Sequence, residues 1–218
     1  MRSQRQSGFA LSLGFLAMTL LVFVFFLAAK AQQQPPSYLY LKQDQTVDLA
    51  SKTKLIKAKQ SCENWGLAAG LETMLRHQNV ALDQNFWVMK LEGGDLCLTR
   101  LPKVESLAQT VNGEFVLDDG RHVRLETHFI AGAPINVDSV IVALKLQQVS
   151  LVIWRGHPYF LSGITYDEHI TSNGMRIFVL KEMRLADTFP KLPGVTFEKG
   201  RDNPDDIQGI LGVTVTAQ

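Results

Sequence analysis

The chain has 218 residues, 46% of them hydrophobic, and a formal net charge of +1. That length and apolar content supply one good core and exclude a disordered or collagen-like chain. Lysine and arginine are scattered along it, which excludes the clustered basic footprint of a nucleic-acid binder, so no nucleic acid is expected as a partner.

Arg2 and Arg5 precede an uncharged apolar run from Gly8 to Ala29, and Ala29-Lys30-Ala31 fits an A-x-A cleavage pattern. Residues 1–31 therefore read as a signal peptide or as an N-terminal anchor, because the run is long enough to cross a bilayer at about 1.5 Å per residue. Basic residues ahead of the run favour an N-terminus kept inside, so both readings place the rest of the chain outside the cytosol. The cleaved form would be secreted or periplasmic. The uncleaved form would be membrane-anchored and face outward, and only then is a membrane expected as a partner. Residues 32–37, with Gln32-Gln33-Gln34-Pro35-Pro36, read as a linker into a single domain spanning 38–218. The basic stretch Lys52 to Lys59 reads as a solvated lead-in.

From Ser61 onward Trp65, Ala68, Ala69, Leu71, Met74 and Leu75 fall at helical spacing, which predicts a helix to about His77 with Ser61 as its N-cap. Asp83 is placed to cap a second helix through Phe86, Trp87 and Leu91, ended by Gly93-Gly94. Pro102 opens a third that Gly113 closes. Asp118-Asp119-Gly120, set between Glu114–Leu117 and Val123–Phe129, predicts a hairpin because aspartate and glycine tolerate the positive φ of a tight turn. A helix from about Val137 to Gln147 comes next, with Val140, Ile141 and Leu144 on one face. Strand-like runs follow at Leu151–Trp154, Tyr159–Tyr166 and Arg176–Leu180. Helices first and strands later imply an α+β domain with an antiparallel sheet. The tail from Lys191 to Gln218, rich in proline, glycine and aspartate, yields no site.

The segment Gln60-Ser61-Cys62-Glu63-Asn64-Trp65-Gly66 carries the chemistry. A thiol at a helix N-terminus is activated by the dipole and the free amides, and a histidine from another segment completes the pair. His157, after Gly156 and at the entrance of an apolar strand, is the candidate histidine.

In these features the chain resembles the papain-like cysteine peptidases, in particular the small secreted bacterial branch related to bacteriocin-processing peptidases. The resemblance covers about Gln60 to Asp187. In that family a glutamine that supplies the oxyanion hole lies six residues before the nucleophile. The nucleophile begins a helix, the histidine heads a strand of the form G-H-x-x-x-x-x-G, and an Asn or Asp orients it. Gln60, the helix near Gly66 with Ala68 and Ala69, and the run from Gly156 to Gly163 match in order. The resemblance implies a papain-like fold, with an N-terminal helical part packed on a C-terminal antiparallel sheet, and hydrolase chemistry on an extended peptide or protein.

This sequence departs from the family at the position that matters most. Six residues beyond Gln60 stands Gly66, with Leu67 where the family has tryptophan. In this register Cys62 lies where relatives carry a second cysteine, and the resemblance implies a Cys62–Cys97 bridge and a protein without a nucleophile. In the competing register Cys62, followed by Glu63, is itself the nucleophile of an active peptidase, and Cys97 is left as an odd thiol. A third reading is a secreted structural module with no papain kinship.

Pairing Tyr159–Tyr166 with Arg176–Leu180 through a turn at His169–Asn173 would place residues near 185 opposite His157. Glu182 and Asp187 bracket that point, and Asp187 matches the family's acidic residue. Asn173 has the right chemistry but lies inside the turn. Trp65 and Trp154 suit either a cleft wall or the core. His77, His122, His128 and His169 lack partners at metal-ligand spacing, so no metal and no cofactor are expected.

Overall fold

The computed structural model describes residues 38–50, 57–94, 97, 104–189 and 191–218. The expected signal or anchor, the linker, residues 51–56 of the basic stretch and Pro102 lie outside the described residues. Within them, the strands are β1 (Tyr38–Asp48), β2 (Gly113–Val116), β3 (His122–Ala131), β4 (Ser150–Trp154), β5 (His157–Thr171), β6 (Arg176–Asp187), β7 (Val195–Glu198) and β8 (Ile207–Ala217). The helices are α1 (Gly66–Arg76), α2 (Gln84–Glu92), α3 (Val104–Val111) and α4 (Asp138–Lys145). The domain is α+β. Its strands form one antiparallel sheet in the order β2-β3-β8-β4-β5-β6-β7, with β1 joined to the outer part of β5.

Both faces of the sheet are buried, which gives two cores. On one face Leu71, Met74, Trp87, Leu107 and Val111 from α1, α2 and α3 pack on Leu125, Leu151, Ile153, Phe160 and Leu211. On the other, Val140, Ile141 and Leu144 of α4 meet Val152, Leu161, Ile164, Leu185, Phe197 and Ile210. Among the described residues no helix is long and apolar enough to cross a membrane.

Local chemistry accounts for the elements that match their sequence signals. Asp83 caps α2 by accepting from the Phe86 N–H at 2.8 Å, and Gly93 ends it in the left-handed region. Gly120, at φ +81°, turns β2 into β3. One expectation is corrected here. α1 starts at Gly66 with Trp65 as its N-cap, and Ser61 does not cap it. The Ser61 N–H is held by the Gln84 side chain, and a turn from Cys62 to Trp65 intervenes, closed by the Trp65 N–H on the Cys62 carbonyl at 3.0 Å.

The C-terminal tail, for which the sequence reading named no element, supplies two strands, one of them central. β8 lies between β3 and β4, and its centre, Gly209-Ile210-Leu211, is buried on both faces and does not alternate, whereas Val213-Thr214-Val215-Thr216 does. Gly209 is there for space: a Cβ would strike the Phe129 ring and come 2.9 Å from the Ile130 carbonyl oxygen. Gly209→Ala is therefore expected to cost about 1–3 kcal/mol as overpacking. Thermal melting should show a clearly smaller loss for Gly212→Ala, whose added carbon meets nothing closer than Ser150 Oγ at 3.7 Å. Equal losses would remove the crowding argument.

Candidate functional site

His157 is placed by the tight turn between β4 and β5. Arg155 and Gly156 both have positive φ, 53° and 74°, the signature of a two-residue hairpin turn of primed type. Asp206, just ahead of β8, and Gln208, its second residue, pin this turn. The Gly156 N–H donates to Gln208 Oε1 at 2.8 Å, the Arg155 N–H to the Asp206 carbonyl at 2.9 Å, and the Arg155 guanidinium to the Asp206 carboxylate at 2.8 Å. His157 pairs with Trp154 in the ladder, which fixes the backbone at the mouth of β5.

β6 brings Asp187 to it. The β5–β6 turn lies later than expected, so the ladder sets Asp187 opposite Tyr159 rather than placing residue 185 opposite His157. The aspartate reaches its partner along the diagonal of the sheet. His157 Nε2 donates to Asp187 Oδ2 at 3.1 Å, and Asp187 Oδ1 accepts from the Phe189 N–H at 2.7 Å. A carboxylate only accepts, so this bond selects the Nε2–H tautomer and leaves Nδ1 as the lone pair available to a ligand. The aspartate side chain is 7% exposed and that of the histidine 41%, a buried anchor beneath an accessible ring. Tyr159 packs beside the imidazole, with ring centroids 4.6 Å apart.

Two further groups feel Asp187. Burial pushes the phenol of Tyr159 above its ordinary range, and the aspartate charge adds to that. Burial pushes the half-buried Lys57 ammonium below its ordinary range, and the same carboxylate partly opposes the shift. Sequence reasoning passed over Lys57 as part of a solvated stretch, because nothing local distinguishes it from its neighbours.

The N-terminus of α1 abuts the residues that follow His157 and Asp187. A Cβ at Gly66 would lie 3.2 Å from both Pro158 Cγ and Thr188 Oγ1, and Thr188 Oγ1 donates to the Pro158 carbonyl at 3.2 Å. One turn on, a Cβ at Gly70 would come 2.9 Å from Leu151 Cδ2. These two glycines let the helix settle on β4 and β5, and no side chain caps its first turn.

The other expected residues fall as follows. Cys62 and Cys97 are joined in a disulfide, with Cα atoms 5.8 Å apart, so neither sulfur is a free thiol. The Gln60 side-chain amide donates to the carbonyls of Cys62, at 2.7 Å, and Glu63, holding the turn ahead of α1. Glu182 pairs with Arg184, which also binds Asp48 and ties β1 to the sheet. Asn173 sits in the β5–β6 turn and accepts from the Met175 N–H. Trp65 and Trp154 are buried in the two cores.

Sequence reasoning also missed the polar hub beneath the turn. Gln84, 6% exposed, accepts from the Ser61 N–H at 3.1 Å and donates to the Lys59 carbonyl at 2.8 Å and to Glu72 at 2.7 Å. The first residue of α2 thereby fixes the approach to α1. Comparison with protein-family models, curated proteins and solved structures finds no match.

Proposed function

We propose that this is an exported protein built on a papain-like cysteine-peptidase scaffold that keeps the histidine–aspartate half of the site and lacks the attacking thiol. It binds an extended peptide or protein segment and does not cleave it. The observation that carries this reading is the His157–Asp187 pair, 3.1 Å apart, beside a helix start that offers glycine where the sequence register puts the nucleophile, while both sulfurs are tied in a bridge. The disulfide suits the oxidising compartment to which an exported chain is delivered.

Without a nucleophile no acyl-enzyme can form. The remaining groups serve recognition. Nδ1 of His157 accepts from a peptide N–H, and Tyr159 borders the imidazole.

The test adds the missing atom. The unmodified chain is expected to bind members of an extended-peptide library and to release no product. Gly66→Cys, combined with Thr188→Ala to clear the hydroxyl at 3.2 Å, is expected to hydrolyse bound peptides. His157→Ala in that background should reduce the rate by roughly 10²-fold or more, the contribution of a positioned base. Hydrolysis by the unmodified chain that depends on His157 and is blocked by iodoacetamide would overturn the reading in favour of Cys62 as nucleophile. Absence of peptide binding would overturn it in favour of a structural module.

A further inference from the structure

α4 covers only part of the sheet face on which it lies. Its buried residues Val140, Ile141 and Leu144 pack with Val152, Leu161 and Ile164 of β4 and β5, and beside the helix, over β3 and β8, the fold leaves a cavity of about 520 Å³. The ladder shows what makes its floor. His128 of β3, Gly212 of β8 and Ser150 of β4 are paired in one rung, so their side-chain positions share a face. The glycine leaves the middle of that rung bare: a Cβ there would still stand 3.7 Å from Ser150 Oγ and 3.9 Å from His128 Cβ. Neighbouring strands lie about 4.8 Å apart, so the two outer backbones are separated by about 10 Å with only flat peptide between them. Ile130 and Ile210, paired in the next rung on the same face, close one end of the cavity. Ser139 and Ala143, one turn apart on α4, form a side wall that stays low because both residues are small.

The lining determines what such a space accepts. Among the described residues that form it there is no lysine, arginine, aspartate or glutamate, so a charge seated deep within it would lack a counter-ion. Uncharged polar groups stand at its borders instead. Ser150 is 8% exposed, and its hydroxyl has no hydrogen-bond partner among the described residues; the same holds for the side chains of Ser139 and Gln148. Across the bare rung, His128 Nε2 shares a hydrogen bond with Thr214 Oγ1 at 3.2 Å, which leaves Nδ1 for another partner. A strand glycine with open space above it lets a flat group come close to the backbone, and the volume is in the range of small-molecule sites.

We propose that this cavity binds an uncharged aromatic molecule, its ring laid on the Gly212 backbone between His128 and Ser150, a polar substituent bonded to Ser150 Oγ, and its apolar remainder against Ile130 and Ile210. The site is on the face of the sheet opposite α1, and it stands or falls separately from the peptide-binding reading.

Naphthol, uncharged at neutral pH, is the probe, and isothermal titration calorimetry on the full chain is the measurement. Gly212→Val fills the bare rung with a side chain suited to a strand and is expected to weaken naphthol about tenfold or more. Ser150→Ala is expected to weaken it about three- to tenfold, the value of one hydrogen bond. Decahydronaphthol, similar in outline but puckered, and naphthalenesulfonate, flat but charged, are each expected to bind about tenfold more weakly than naphthol. Thermal melting verifies that each variant is folded, and if Gly212→Val is not, Ser150→Ala decides. Equal affinity for decahydronaphthol would overturn the proposal in favour of an aliphatic ligand, and equal affinity for the sulfonate would overturn it in favour of an anionic one. So would no binding of naphthol up to its solubility, or an affinity that the folded variants leave unchanged.

Discussion

Replacing Cys62 and Cys97 together with serine is expected to lower the unfolding free energy by about 4 kcal/mol, the chain-entropy value for a loop of this length. The two cysteines are 35 positions apart in sequence, and the bridge is the covalent tie between the turn ahead of α1 and the segment between α2 and α3. It acts at a place with few alternatives. The Cys62 carbonyl accepts both the Gln60 amide and the Trp65 N–H, and Asn64 donates to the Cys97 carbonyl at 2.8 Å. For a domain of this size the loss corresponds to a melting point lower by about 8–16 °C. Differential scanning calorimetry checks it, and dithiothreitol should reproduce the shift in the unmodified protein while leaving the double-serine variant unchanged. A shift below about 2 °C would mean that closing the loop adds almost nothing to stability, against the entropy argument. Under the proposed function, peptide binding should weaken in parallel, because the bridge borders the start of α1.

The same region shows where sequence was legible and where it was not. α2 could be read because its signals are local: a capping aspartate, an apolar run and a left-handed glycine within eleven residues. The β2–β3 turn was legible for the same reason. His157 and Asp187 could be paired in advance because a hairpin joins their strands, although the turn position was off and only the side-chain bond restores the match.

β8 could not be read. Its centre, Gly209-Ile210-Leu211, is buried on both faces and shows no period of two, and Gly209 sits in it for a packing reason visible only once Phe129 lies alongside, which leaves Val213-Thr214-Val215-Thr216 as its alternating stretch. β1 went unread although Tyr38-Leu39-Tyr40-Leu41 is a β-prone run, because the polar residues that follow also suit a loop. It is an edge strand laddered to β5 and tied by charged contacts to residues far along the chain, Asp44 to Lys181 and Asp48 to Arg184. The start of α1 was misplaced because Ser61 has the residue type of a cap, whereas its own N–H is already taken by a glutamine 23 positions away.

That glutamine is where one uncharged substitution should strand several polar groups at once. Gln84→Leu keeps the approximate volume and the helical position while deleting three hydrogen bonds at once. The Ser61 N–H and the Lys59 carbonyl lose their partner, and Glu72, 4% exposed, loses the amide at 2.7 Å and keeps only its pairing with Arg76, which is itself half in solvent. Each buried group left unmet costs about 1–3 kcal/mol, so a total near 3 kcal/mol is expected after partial rescue by water. The carboxylate should dominate that cost, and this can be separated from the rest. Adding Glu72→Leu to Gln84→Leu removes the stranded charge, and the double variant is expected to be more stable than Gln84→Leu alone by about 1 kcal/mol, since an apolar pair replaces a broken polar one. Chemical denaturation of the four proteins in the cycle measures the difference. If Glu72→Leu instead adds its own full penalty on top of the first, the two residues are not coupled and the hub is only a list of contacts. The functional readout follows from the same bonds. With residues 59 and 61 released, Gln60 no longer has a fixed place from which to hold the Cys62 and Glu63 carbonyls, so under the proposed function the affinity for peptide should fall as well.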